Sequence, residues 1–460
     1  MPAVSRAFSI TMLTCLMPDV TETTGKQWLG HPRGLATLFF TEMWERFSYY
    51  GMRALLMLYM VGSTQQPGLG FPEGKSAQIY GLYTMLVYLM GIPGGYLADR
   101  FIGHYRAVFI GGIIIACGHF SMAVPGLPFF FFGLGLIILG TGLLKPNVST
   151  IVGTLYARDD PRRDAGFSLF YMGINLGAFI SPLVCGWLGQ KINWHVGFAA
   201  AGVGMVFGLI QYAAGKKYLT PASQQATPAT EVVIDAQRLA RQHSLFTQQD
   251  WRRIGAALIL TLFSMIFWAG FEQAGSSLTL FADRATRLTI GSYAFPSSWF
   301  QSVEPLFIIL FSPVFAWLWV KLGRLEPSSP LKFTMGIFFL SMSFLLIVPA
   351  AHIFQSSSHR VSPWWLVGLY FLQMLGELCL SPVGLSMITK LSPPRIAGLM
   401  MGVWFLSMAL GNYLAGWVAG FIENRPFSEV FMLAFVTSAV ATLVLAALIA
   451  PIRRLMGGVH

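Results

Sequence analysis

Residues 41–53 read Thr41-Glu42-Met43-Trp44-Glu45-Arg46-Phe47-Ser48-Tyr49-Tyr50-Gly51-Met52-Arg53, in the middle of an apolar run that extends from about 35 to 62. Such a run is long enough to cross a bilayer as a helix. At about 100° per residue, Glu42, Arg46, Tyr49 and Arg53 fall in a stripe of about 60°, with Glu45 and Tyr50 at its flanks. One helix face therefore presents a carboxylate, a guanidinium, a phenol and a second guanidinium over three turns. Pairing of Glu42 with Arg46 one turn away neutralises one couple. It leaves Arg53, Glu45 and both tyrosines without an explanation, and ionisable groups inside a membrane mark functional sites.

The rest of the chain fits a membrane reading. Of its 460 residues 55% are hydrophobic and only 11% are charged, against about 25% charged in a soluble domain. Soluble, disordered, collagenous and disulfide-scaffold classes are excluded. Apolar runs recur at about 35–62, 76–97, 105–124, 128–150, 166–189 and 194–214. A second set lies at about 252–280, 299–320, 333–352, 363–389, 396–422 and 428–451. The expected fold is an all-α polytopic membrane protein with twelve transmembrane helices in two bundles of six. Residues 1–30 read as a short, poorly ordered cytoplasmic tail; 8–17 are weakly apolar but no convincing cleavage site follows. Residues 31–214 form the first bundle, the polar stretch 215–251 a cytoplasmic linker, and 252–455 the second bundle. The four cysteines are scattered and read as small buried hydrophobes.

The net charge of +11 is distributed unevenly. With both termini in the cytoplasm, 21 Lys and Arg lie on that side, 6 on the other and 3 inside spans. This is a strong positive-inside bias. It accounts for the basic balance through the anionic leaflet, with no nucleic-acid partner. Weak matches between span 4 (Lys145-Pro146-Asn147-Val148) and span 10 (Ser381-Pro382-Val383-Gly384) fit the internal repeats of secondary transporters.

Eight ionisable side chains lie inside spans: Glu42, Glu45, Glu272, Glu304 and Glu377 against Arg46, Arg53 and Lys145. Unpaired, they would cost about 20–28 kcal/mol at roughly 2.5–3.5 kcal/mol each. They must pair or line a wet cavity. If each base takes one acid, two carboxylates are left to hold protons, which is the arithmetic of a proton-coupled carrier. Lys145 precedes a proline that frees a backbone carbonyl, usually beside a cavity. Glu377 lies at the matching level of the other half. The two can form either a static bridge or a breakable one. Span 7 (Phe267-Trp268 to Glu272-Gln273) and span 8 (Trp299 to Glu304-Pro305) place polar groups beside aromatics in mid-span; Trp299 serves equally as an interface anchor. His119 reads as hydrogen-bonded packing. The string Gly91-Ile-Pro93-Gly94-Gly95-Tyr-Leu-Ala98-Asp99-Arg100 suits close helix approach, with Asp99 and Arg100 placed to clamp a neighbouring helix end. No Walker loop, metal cluster or catalytic constellation is visible in the sequence, so the chain is not expected to be an enzyme and no cofactor beyond the proton is expected.

These motifs resemble known ones. The 91–106 string is similar to the signature of the major facilitator superfamily. Glu42-x-x-Glu45-Arg46-Phe-Ser-Tyr-Tyr-Gly-Met-Arg53 resembles the first-span motif of proton-dependent oligopeptide transporters. Phe170-Tyr171-Met-Gly-Ile-Asn175-Leu-Gly-Ala resembles that family's second signature. Lys145-Pro, Phe271-Glu272-Gln273 and Gly376-Glu377-Leu-x-x-Ser381-Pro382 fall where the family keeps functional residues. The resemblance covers about residues 30–455.

The resemblance implies a major facilitator fold and a proton-coupled symporter of di- and tripeptides, working by alternating access in a bacterial inner membrane, with small peptides and protons as partners and a monomer as the expected state. It implies that Arg46, Lys145 and Arg53 receive the peptide carboxylate, and that Glu377 and Asn175 receive the amino terminus. Tyr49, Tyr50, Tyr88, Trp268, Trp404 and Ser381 would line the pocket. Arg53 and Glu272 would form a bridge that breaks when Glu272 takes a proton, with Glu42 and Glu45 as further proton sites coupled to Arg46. The sequence departs from the family in two respects. The extra helix pair that many bacterial members carry between the halves does not fit in 215–251. Glu304 stands where the family usually has Asn, so a carboxylate enters the amine end of the site, where it would strengthen amine binding, add a proton site or shift the substrate. Rival readings are the same machine moving another anion such as nitrate, a proton–drug antiporter, and a peptide-sensing receptor that does not accumulate.

Overall fold

The structure, a computed structural model, describes residues 27–63, 68–157, 160–219, 246–423 and 425–457. Its long helices are α1 (Arg33–Val61), α2 (Glu73–Ile102), α3 (His104–Met122), α4 (Leu127–Thr154), α5 (Arg163–Lys191), α6 (Trp194–Tyr218), α7 (Gln248–Arg284), α8 (Ser297–Leu322), α9 (Ser329–Ser357), α10 (Trp364–Leu391), α11 (Ala397–Ala419) and α12 (Phe427–Met456). By length and composition, α2 to α12 are each apolar enough to cross a membrane. The twelfth, α1, is 29 residues long and carries the charged stripe Glu42, Glu45, Arg46 and Arg53, all of them buried.

Within the first six helices α1 packs on α5 and α6, and α3 on α4 and α6. Within the second six α9 packs on α10 and α12, and α7 on α11 and α12. The halves meet along two helix pairs, α2 with α11 and α5 with α8. These pairs are reciprocal: the second helix of each half meets the fifth of the other. A pseudo-twofold relation of this kind is expected of the two halves of such a transporter.

Side chains cap two of the helix starts, α6 through Asn193 and α7 through Thr247. α7 begins at Gln248, inside the stretch the sequence assigned to the linker, because Thr247 and Asp250 form a capping box: the Asp250 amide donates to Thr247 Oγ1 at 3.1 Å and the Thr247 amide to Asp250 Oδ2 at 2.9 Å. Most of that linker, and residues 1–26 of the tail, lie outside the described residues. The last part of the tail is not loose, contrary to expectation. Residues Gln27–Trp28 (β1) and His31–Pro32 (β2) form a small antiparallel ladder, His31 Nδ1 lies 2.9 Å from the Tyr156 hydroxyl, and Trp28 packs on Phe39 and Phe40. A second ladder, Thr289–Ile290 (β3) with Tyr293–Ala294 (β4), precedes α8. Both are hairpins too short for a period-two pattern to reveal.

Two prolines lie near the contact between α2 and α4. Pro93 follows a break at Met90 in α2, and α2 ends in a π-helical turn over Ala98–Ile102. In α4, Pro146 cannot donate to the Gly142 carbonyl. That carbonyl instead lies against Gly94, where an added Cβ would come within 2.0 Å of it. Glycine at 94 is thus required by a close backbone approach.

Candidate functional site

α1 supplies one set of groups. Arg46 Nε lies 3.2 Å from Glu42 Oε1 and also donates to Glu45. This leaves Glu42 Oε2, Glu45 Oε1 and Arg46 Nη2 buried with no hydrogen-bond partner. Such atoms cost about 1–3 kcal/mol each when left dry, more for charged groups, so they point to a ligand, water or a proton. The Arg46 guanidinium lies 5.1 Å from the Tyr49 ring centroid, and Tyr49 stacks edge-on against Tyr50 at 5.2 Å.

Lys145 belongs to this cluster rather than to the opposite half. Its Nζ lies 4.0 Å over the Tyr88 ring, within electrostatic reach of Glu42, Glu45 and Arg46. The pairing of Lys145 with Glu377 that the sequence left open is not formed. The close approach of Gly94 to the Gly142 carbonyl holds this segment of α4 against α2, and the lysine meets the Tyr88 ring there instead of a carboxylate.

Two turns further along α1, Arg53 donates to Glu272 of α7 and, through Nε, to the Tyr80 hydroxyl of α2. Arg53 is 8% exposed and Glu272 5% at the side chain, so the bridge is desolvated. The Arg53 guanidinium also sits 5.6 Å from the ring centroids of both Tyr50 and Tyr80. The bridge expected from the resemblance is thus present and carries one partner not singled out beforehand. Tyr80, Thr84 and Tyr88 recur every fourth residue on α2, so the choice of Tyr88 already carried the signal for Tyr80.

The second half supplies a different pole. The Tyr171 hydroxyl of α5 donates to Glu377 Oε1 of α10 at 3.3 Å, joining the halves in mid-membrane. Glu304, in α8, lies within electrostatic reach of Glu377, and its Oε1 is buried without a partner. Asn175 lies one turn beyond Tyr171 and donates to the Tyr171 carbonyl at 3.0 Å. Ser381 Oγ and Trp268 Nε1 are buried and unpartnered. Trp404 is buried in the second half, packed on Gly384 and edge-on to Phe333 at 6.2 Å. Asp99 meets His104, the first residue of α3, at 3.6 Å, whereas Arg100 reaches no neighbouring helix and covers Tyr96 of its own at 5.6 Å. A groove of about 620 Å³ lined by Phe179, Arg287, Tyr293, Trp299 and Trp364 lies apart from all these groups and has no acidic side chain in its wall.

The end of the molecule opposite the termini is held shut. Arg284 meets Glu73 at 2.5 Å, and the Gly74 amide donates to Glu423 at 3.0 Å. Gln190 donates to Ser297 at 2.8 Å and accepts from the Ser298 amide at 3.0 Å. Trp299 donates to the Leu183 carbonyl at 3.2 Å and Ser302 to the Phe179 carbonyl at 2.7 Å. Trp299 therefore anchors α8 to α5. These contacts escaped sequence reasoning because each joins residues more than a hundred positions apart.

The comparisons agree with this architecture. The model of the POT family matches residues 105–236 and 223–434. The chain is 43% identical to the uncharacterized transporter YclF of Bacillus subtilis, over 94% of this chain and 97% of that one. It is 38% identical to the peptide transporter YePEPT of Yersinia enterocolitica, over 94% and 96%. A crystal structure of the peptide transporter POT in complex with sulfate superposes with a TM-score of 0.84 at 42% identity, covering 94% of this chain and 97% of that chain. A charged first span, an Arg53–Glu272 bridge between the halves and two reciprocal helix pairs go with these likenesses: the chain belongs to the POT family of proton-dependent oligopeptide transporters and has their twelve-helix major facilitator fold.

Proposed function

We propose that this chain takes up di- and tripeptides by proton-coupled symport, by alternating access between its two six-helix halves. The supporting observation is an unpartnered guanidinium nitrogen, Arg46 Nη2, in one half, while the carboxyl groups of Glu304 and Glu377 lie in the other. A zwitterion needs both poles. Two or three extended residues reach about 7–11 Å, a length suited to a site between bundles, and a ligand that spans them draws the halves together. Arg46 and Lys145, with Arg53, receive the carboxylate. Glu377, Glu304 and Asn175 receive the amine. Tyr49, Tyr50, Tyr88, Trp268, Ser381 and Trp404 give side chains a tolerant aromatic surround. The sulfate in the related transporter's structure is in keeping with an anion-binding pole in this family.

Proton coupling follows from the two α1 clusters. A proton on Glu272 removes the charge that holds Arg53 and loosens the bridge between α1 and α7. Glu42 and Glu45 are further proton sites coupled to Arg46: a ligand carboxylate that takes the guanidinium favours a proton on them. One proton entering with 100 mV and one pH unit supplies about 3.7 kcal/mol, enough for roughly 500-fold accumulation. The excess of Lys and Arg at the end carrying the termini supports a cytoplasmic position for that end, and the reading is a multi-pass protein of a bacterial inner membrane. The working unit is a monomer in the lipid bilayer, with no cofactor beyond the proton.

The test is uptake of labelled dialanine into proteoliposomes with an inward proton gradient on or off. Accumulation that collapses with a protonophore supports the reading. Binding without accumulation favours a receptor, and no binding favours another anion as cargo.

A further inference from the structure

We infer that the groove beside the α5–α8 pair, at the end opposite the termini, binds an anionic phospholipid of that leaflet. The Arg287 guanidinium takes the phosphate, and the aromatic wall takes the first part of an acyl chain. The groove holds about 620 Å³, within the range of about 300–1,000 Å³ usual for small-molecule sites. Both halves build it: Phe179 and Leu183 come from α5, Trp299 and Leu306 from α8, and Trp364 from α10. The hairpin of β3 and β4 adds Ile290 and Tyr293. Ile290, Tyr293 and Trp364 are 69%, 53% and 75% exposed, and an apolar patch of this kind marks an interaction surface. Its Trp and Tyr are the residues that gather at the level of lipid headgroups.

Charge selects the headgroup. Only 6 of the 30 Lys and Arg lie on this side of the membrane, so orientation does not call for a cation here. Arg287 is exposed, and among the described residues its guanidinium has no ion-pair or hydrogen-bond partner. The acids near it in sequence and space are taken: Asp283 accepts from Ser297 at 2.7 Å, and Glu73 meets Arg284. A second exposed cation, Arg360, precedes Val361, whose carbonyl accepts from the Arg287 amide at 2.8 Å. Two cations at the rim with no acid in the wall favour an anion. The helical repeat selects a chain behind that anion. Trp299, Val303 and Leu306 of α8 line the groove, and Leu310, Val314 and Trp317 continue the same stripe at steps of three and four residues. These last three are exposed as well, so an apolar track runs from the groove along the helix into the bilayer. A free phosphate gains nothing from such a track, whereas a phospholipid fits both parts.

The experiment is native mass spectrometry of the full-length protein, titrated in detergent with dioleoyl phosphatidylglycerol or dioleoyl phosphatidylcholine. The first lipid bound should be phosphatidylglycerol, preferred about fivefold, as expected for one basic residue at a membrane surface. Arg287→Gln should lose that preference. Arg425→Gln should keep it, since Arg425 is also at the far end but is paired with Glu429 at 3.2 Å. Equal preference in the wild type and Arg287→Gln overturns the inference. An equal loss in Arg425→Gln also overturns it, because the preference is then a general charge effect and not a site. Displacement of the bound lipid by glycerol 1-phosphate at equal concentration assigns the groove to a soluble anion and overturns the lipid as its occupant. Should Arg287→Gln not fold, the wild type decides alone. Phosphatidylglycerol with a diazirine in its acyl chain must crosslink preferentially within residues 299–317, and labelling spread evenly over the spans overturns the inference.

Discussion

The pair α2 and α11 behaves differently at its two ends. Away from the termini their backbones touch. A Cβ added at Gly81 would lie 2.8 Å from the Gly416 Cα, and one at Gly416 would lie 2.4 Å from the Ala77 carbonyl. Toward the termini the same two helices part. An added Cβ would meet nothing within 4 Å at Gly91 of α2, nor at Gly398 and Gly402 of α11. The contrast shows a carrier sealed at one end. Glycine contacts, two ion pairs (Arg53–Glu272 and Arg284–Glu73) and a few hydrogen bonds take part in the seal, beside an apolar cluster that both halves share. Small-residue contacts come apart without leaving large cavities, as an alternating gate requires.

The largest effect on this contrast should come from Glu272→Gln. It leaves Arg53 buried beside a neutral amide, and removing one partner of a buried pair typically costs about 3–5 kcal/mol. The expected outcome is loss of gradient-driven accumulation, with peptide exchange at equal concentrations retained, measured in proteoliposomes. Retained accumulation would mean that the bridge is structural only.

A smaller change should follow from Gly416→Val. Overpacking the contact by about 1–3 kcal/mol would shift the balance toward the state open at the far end by about 5- to 150-fold. Distances between spin labels at the far ends of α2 and α11 read this directly; an unchanged distribution would show that the glycines are not the hinge of the seal.

Arg284→Ala probes the rim. The Arg284 side chain is 39% exposed in its pair with Glu73, so the loss should be about 0.2–1 kcal/mol and shrink with added salt. A loss as large as that of Glu272→Gln in the same transport and label measurements would move the weight of the seal to its rim.

The smallest effect belongs to the open end. Gly398→Ala adds a Cβ that meets no atom in this state, and alanine favours the helix by about 0.5–1 kcal/mol. Thermal stability should hold or rise slightly, and the label distances should not change. Destabilisation would show that the near ends already touch in the resting protein.

Twelve spans, the charge asymmetry and the stripe from Glu42 to Arg53 were legible in the sequence. Each is a local or periodic property: hydrocarbon thickness sets the run length, the helical repeat aligns Glu42, Arg46 and Arg53, and a buried charge is conspicuous wherever it occurs. Local capping signals, such as Thr247 and Asp250, also stood in the sequence, though the polarity of 246–251 concealed them. The Arg53–Glu272 bridge was implied by the resemblance; the tertiary structure alone decided the other partners. It added Tyr80 to that bridge, took Lys145 to Tyr88 and away from Glu377, and sealed one end of α2 and α11 while leaving the other apart. Which charges pair depends on distances between segments up to hundreds of residues apart, fixed by how the helices cross and tilt, and no periodicity along one chain encodes them.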